Sequence, residues 1–201
     1  LNDIKILNID SLYCYMFHSI NDFNNYFDKF EKDLCRLKNN GFIQKLGVSL
    51  HTNEEFEKVL EFDNIDLIQI PYNLLDNSNK RNEILIKAKQ KGIEVHTRSA
   101  FLQGLFFKPL SELKGNLILA KPYLSKIIEK TKKKNVSIGK LALNYCTSNK
   151  NISNVIIGVD NLEQLIKNLN WIESSVSEDL ICSINKINVK ESYLLNPSLW
   201  K

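Results

Sequence analysis

Glycine is scarce in this chain, with seven in 201 residues, and every one stands alone. No G-x-G-x-x-G run follows the first apolar segment, which removes the fingerprint of an open dinucleotide-binding sheet. Cysteine is sparse too. Cys14, Cys35, Cys146 and Cys182 form no C-x-x-C pair, so neither a zinc ribbon nor a redox motif is suggested, and reduced thiols of a cytoplasmic protein are expected. No apolar run approaches the roughly 18 to 20 residues that span a bilayer, and no signal-peptide pattern opens the sequence. Charge of one sign is missing as well. The net charge of +4 is spread over interleaved lysines and acids, the pattern of solvated faces, so no nucleic-acid partner is expected. The densest basic stretch, residues 121–134, alternates lysine with isoleucine and leucine as the wet side of an amphipathic helix does. The one methionine is Met16 and the chain opens on Leu1, as expected of a fragment, a processed product or the ordered part of something longer.

What is present is a soluble, globular composition, 43% hydrophobic and 25% charged. Its organisation is an alternation. Residues 10–17, 42–50, 65–72, 93–101 and 154–159 read as apolar, buried strands. Between them, Phe23, Phe27, Phe30, Leu34 and Leu37 recur at helical spacing ahead of Gly41. Thr52 or Asn53 caps the next helix, residues 79–92 form another that ends at Gly92, and Ser137 caps a helix over 138–148. Further helices are expected over 122–134, 161–174 and 177–188, with a long excursion rich in leucine, phenylalanine and glycine after residue 101.

Strands apolar on both faces that alternate with helices predict a parallel sheet covered by helices. Spacing of roughly 40 residues per unit, with polar residues at the strand C-termini, favours a (β/α)8 barrel over an open sheet. Five βα units fall short of eight, so the expectation is an α/β fold in the form of an incomplete TIM barrel, with residues 1–201 as the later portion of one barrel domain and its first βα units absent. The strand ends carry His18, Ser49 with His51, Gln69 with Asn73, Arg98 with Ser99, and Gly158 through Asn161. Gln69 stands out because an amide inside an apolar strand is costly without a partner, which a ligand amide or a neighbouring backbone would supply.

These segments resemble the aldo-keto reductase family. IDSLYCYMFH is similar to that family's fourth strand and active-site histidine, and KLGVSLHTNEEFEKVL to its Gly-Val-Ser strand and helix. IDLIQIPYNLLD, GIEVHTRSAFLQGLFF, VSIGKLALNYC and NVIIGVDNLEQLIKNL follow in the family's order. The resemblance implies an NAD(P)H-dependent oxidoreductase that reduces an aldehyde or ketone, a small-molecule carbonyl substrate, and His18 as the residue that orients it. The family's proton-donating tyrosine, lysine and aspartate belong to its first three units, and neither Tyr13 nor Tyr15 takes that role.

For the cofactor, the resemblance assigns Gln69 and Ser49 to the nicotinamide carboxamide, with Leu50 standing where the family has asparagine. Arg98 replaces a stacking tyrosine and is followed by Ser99. Gly158, Val159, Asp160, Asn161, Gln164 and Asn168 fall near the adenosine phosphate. NADPH is favoured over NADH by resemblance alone, although Asp160 and Gln164 occupy positions where many members place a cation. The alternative is a non-catalytic nucleotide-binding or regulatory module of the same fold. His51 and His96 are expected to be structural.

Overall fold

The computed structural model describes residues 2–201. A short helix α1 (Asn2–Leu7) opens the chain where the sequence offered only a leading segment. Strands and helices then alternate: β1 (Leu12–Phe17), α2 (Ile20–Asn39), β2 (Ile43–Ser49), α3 (Asn53–Val59), β3 (Leu67–Pro71), α4 (Ser78–Gln90) and β4 (Glu94–Arg98). Three 3-10 segments fill the excursion between Leu102 and Ala120, and α5 (Lys121–Lys134), α6 (Ile138–Thr147), β5 (Asn154–Val155), α7 (Leu162–Ile172) and α8 (Glu178–Asn185) complete the order. The strands are hydrogen-bonded in the sequence β1-β2-β3-β4-β5, and β1 with β2 and β2 with β3 run parallel. No helix among the described residues is long and apolar enough to cross a membrane.

Two compact units are distinguished, the first running to Ile70 and including Ile86–His96, the second comprising Pro71–Leu85 and Thr97–Lys201. In the first, Ser19 caps α2 by accepting from the Asp22 amide, and Thr52 forms a reciprocal capping box with Glu55 on α3. Gly41 and Gly92 follow their helices at φ +75° and +70°, a conformation that stops a helix cheaply only without a Cβ. Phe17, Phe23 and Phe27 are buried and pack on one another, and Phe23 and Phe27 also meet Phe62, in edge and tilted contacts with centroids 4.6–6.1 Å apart. Against the expectation of strands buried on both faces, β1 is largely open. Tyr13 and Tyr15, which share one face of β1, are 47% and 44% exposed on a strand that ends the sheet.

Tyr13 belongs to a polar layer instead. Its hydroxyl lies 2.7 and 2.8 Å from the two Glu94 carboxylate oxygens, Lys45 Nζ bonds both the Tyr13 hydroxyl and Glu94, and His96 Nε2 lies 2.6 Å from Glu94. His96, expected to be structural, thus bonds a carboxylate on its own strand and stacks on Tyr13.

In the second unit Tyr72 and Tyr145 are buried and stacked, 5.2 Å apart. The Tyr145 hydroxyl donates to Asn185 and bonds Ser78. Arg81 grips Asp76 through two 2.8 Å bonds, with both side chains nearly inaccessible. Cys146 is buried and donates to the Tyr72 carbonyl at 3.3 Å, while burial drives its thiol pKa far up. The expected buried strand over 154–159 shrinks to Asn154–Val155. Ile156 still donates to the Thr97 carbonyl at 2.7 Å, but β5 has one neighbour, and Ile156 and Val159 are 43% and 40% exposed.

Candidate functional site

The functional side chains expected from sequence fall into two groups, one in each unit. In the first unit, His18 follows β1 directly, is exposed, and precedes the cap of α2. Ser49 and Gln69 end β2 and run through β3, and the parallel register sets them side by side. The Leu50 amide donates to the Gln69 carbonyl at 2.8 Å, which fixes that strand end. Ser49 is 7% exposed and Gln69 is half-buried. Gln69 is thus a partly accessible amide side chain within an otherwise buried apolar strand. A polar group in that position is costly unless something bonds it.

The second unit contains a cleft of about 560 Å³, within the range of small-ligand sites. Ser99, Gly158, Asp160, Gln164 and Asn168, all expected from sequence, line it. Asn168 is 6% exposed and lines the cleft from α7. Asn161 caps α7 by accepting from the Gln164 amide, while Gln164 accepts from the Asp160 amide at 2.9 Å and donates to its carboxylate at 3.3 Å. Val159 and Asn161 do not line the cleft. The Arg98 carbonyl accepts from Tyr72, and Arg98 itself is half-buried at the end of β4.

Sequence reasoning missed part of the lining. Phe101, Phe107 and Trp171 form a contiguous aromatic wall, with Phe107 and Trp171 nearly parallel at 6.4 Å, and Lys167 places its ammonium 5.3 Å from the Trp171 ring centre. The signal was available, since Gln164, Asn168 and Trp171 sit four and three residues apart on one face of α7. Another feature was invisible. Ser99, Leu102 and Gln103 adopt φ of +64°, +46° and +48°, strained for residues with a Cβ, and such strain gathers at functional sites.

A sequence profile of the Aldo/keto reductase family matches residues 3–189, most of the chain. Among solved structures, an aldo-keto reductase from Bacillus halodurans in its apo form superposes with a TM-score of 0.76 at 23% identity, covering 94% of this chain and 66% of its own. Its holo form gives 0.77 at 22%, with 94% and 65% covered. A thermostable aldo-keto reductase in complex with the inhibitor epalrestat gives 0.66 at 17%, with 93% and 64% covered. The chain therefore spans just under two thirds of the length of these structures, and no curated protein matches it. Five parallel strands alternating with helices agree with this (β/α)8 architecture in the part covered. With the profile running over nearly the whole sequence and the fold in agreement, this chain belongs to the aldo/keto reductase family.

Proposed function

We propose that the chain is the later portion of an NAD(P)H-dependent oxidoreductase that reduces an aldehyde or ketone to an alcohol. One observation carries the reading. Gln69 is a half-buried amide in an apolar strand, set beside the Ser49 hydroxyl by the strand register. An amide and a hydroxyl at adjacent strand ends offer the donors and acceptors that a carboxamide needs. The second unit offers what the adenosine portion needs: a flat aromatic wall, the Asn168 amide and the capped start of α7. The chemistry of each group, taken by itself, fits one half of a nicotinamide dinucleotide, which when bound supplies hydride.

The chain's own residues then bind and orient. Gln69 and Ser49 hold the carboxamide, and Arg98 presents a planar cation at the end of β4. His18, exposed at the end of β1, donates to a substrate carbonyl oxygen and fixes its direction.

Titration of the chain with NADH and NADPH tests the assignment. Gln69→Ala is expected to weaken binding by about tenfold, the cost of one lost hydrogen bond. An unchanged dissociation constant overturns it.

A second reading is a nucleotide-binding or regulatory module of the same fold without turnover, in keeping with a resemblance that assigns no residue of this chain the role of proton donor. The 201-residue chain by itself is accordingly expected to show no carbonyl reductase activity across a panel of aldehydes. Detectable turnover would dismiss that expectation.

A further inference from the structure

Charge is not spread evenly along the folded chain. Residues 108–150 hold ten lysines and no arginine against two acids, Glu112 and Glu129, a net charge of +8 where the whole chain carries +4. None of these ten lysines forms an ion pair among the described residues. Six of them lie on α5, and the helix itself does not account for them. Lys132, Lys133 and Lys134 in its last turn complement the helix dipole, but Lys121 stands in a first turn that holds no acid, where a cation is unfavourable. Lys126 with Lys130, and Lys130 with Lys134, put like charges four residues apart, which is destabilising.

The helix period groups the lysines. The third 3-10 segment, Gly115–Ala120, runs into α5 without a break, since Ala120 and Lys121 both have right-handed helical backbone. Ala120, Leu124, Ile127 and Thr131 are buried and fix the inward face. Leu119, Lys126, Lys130 and Lys133 are spaced seven, four and three residues apart and form a stripe off that face. Ile118, Lys121, Ser125 and Lys132 form the next. Ile118 and Leu119 are 47% and 51% exposed, so an aliphatic pair stands at the head of a basic surface. Such a surface fits the interface of an anionic bilayer, where lysines meet headgroup charge and aliphatic side chains leave water. Nucleic acid fits it less well. Base contacts draw on arginine forks and aromatic rings, and the exposed residues of 115–134 include neither.

We propose that this face docks the chain on an anionic phospholipid surface, with the α5 lysines against the headgroups and Ile118 and Leu119 entering the interfacial layer. The contact is peripheral, for no helix among the described residues is long and apolar enough to cross a membrane. It does not depend on the dinucleotide reading, because none of residues 115–134 lines the cleft.

Vesicle flotation of the 201-residue chain tests this, since bound protein rises with the lipid and self-associated protein does not. The chain is expected to float with phosphatidylcholine vesicles containing about 30% phosphatidylserine and to stay behind with phosphatidylcholine alone. Raising salt from about 0.1 M to about 0.5 M is expected to release it. The triple variant Lys126→Gln, Lys130→Gln, Lys133→Gln is expected to bind about a hundredfold more weakly, at roughly fivefold per lysine. Lys29→Gln, Lys32→Gln and Lys58→Gln remove the same charge from exposed positions of α2 and α3, and together are expected to change binding by less than about threefold. Ile118→Ser with Leu119→Ser is expected to weaken binding about tenfold and to leave its salt dependence unchanged. Absence of flotation with the phosphatidylserine vesicles, equal flotation with neutral ones, equal losses in the two lysine triples, or no loss in the serine pair overturns the proposal. So does retention of the chain by a mixed-sequence RNA at a salt concentration that frees it from the vesicles, which would assign the face to nucleic acid.

Discussion

Thr97 is fully buried in β4, and its hydroxyl oxygen has no hydrogen-bond partner among the described residues. A buried hydroxyl without a partner is destabilising, and valine has nearly the same shape. Thr97→Val is expected to stabilise the chain by about 1 kcal/mol in urea unfolding, reversing the lost desolvation of that group. The Tyr13, Lys45, Glu94 and His96 layer gives a second residue-scale outcome. Burial, assisted by the nearby Lys45 charge, lowers the His96 pKa below its ordinary value. The unfolded chain then binds a proton, below about pH 6.5, that the folded chain refuses. Stability from this group is present above that pH and declines as the pH falls toward the folded-state value. The melting temperature is expected to drop between about pH 7 and pH 5.5, and His96→Gln to flatten that part of the profile. Gln69 was legible in sequence as an amide out of place. Of the layer around His96, Glu94 is two residues away on the same strand, whereas Tyr13 lies 83 positions away and could not be paired with it from sequence, because the two meet only through the sheet.

Helix α6 was readable because its signals are local: Ser137 accepts from the Lys140 amide at 3.3 Å, as the sequence led one to expect of a cap. What the helix packs against was not readable. Gly139 faces Trp171 so closely that a Cβ built on it would lie 2.1 Å from the indole. Asn144 then ties the two helices by donating to the Trp171 carbonyl at 2.7 Å. Gly139→Ala would raise intrinsic helix propensity by up to about 1 kcal/mol. Overpacking against a ring wedged between helices costs about 1–3 kcal/mol, so the net effect is expected to be a loss of stability. Because Trp171 also lines the cleft, its fluorescence should shift in the same variant. A stability gain with unchanged emission would show that the ring yields freely. The misread strand over 154–159 has the opposite origin. Val155, Ile156, Ile157 and Val159 are β-branched, a correct local preference, but only Asn154–Val155 form the strand, and Ile156 and Val159 are 43% and 40% exposed.

At the scale of the whole chain, the alternation of elements was legible because each helix and strand advertises its own period, and the caps and glycines punctuate them. Exposure was not legible, since apolar periodicity reports which face would be buried and says nothing of what lies against it. Helix α7 shows the difference. Leu162, Leu165, Ile166, Leu169 and Ile172 recur at the spacing of an apolar stripe, yet they are 38–69% exposed, together with Ile156 and Val159 nearby in sequence. Apolar patches beyond a few hundred Å² promote association, and a net charge of only +4 on 201 residues provides weak mutual repulsion. The chain is therefore expected to self-associate with rising concentration and to bind the dye ANS while fully folded. Leu165→Lys with Leu169→Lys should reduce both effects, measured by sedimentation and dye fluorescence. Because these side chains are substantially exposed in the folded chain, the unfolding free energy should change only within the small range typical of surface substitutions, about 0.5 kcal/mol per site. A large loss of stability in that double variant would mean that the stripe is part of the core, and that the exposed face of α7 does not describe the chain in solution.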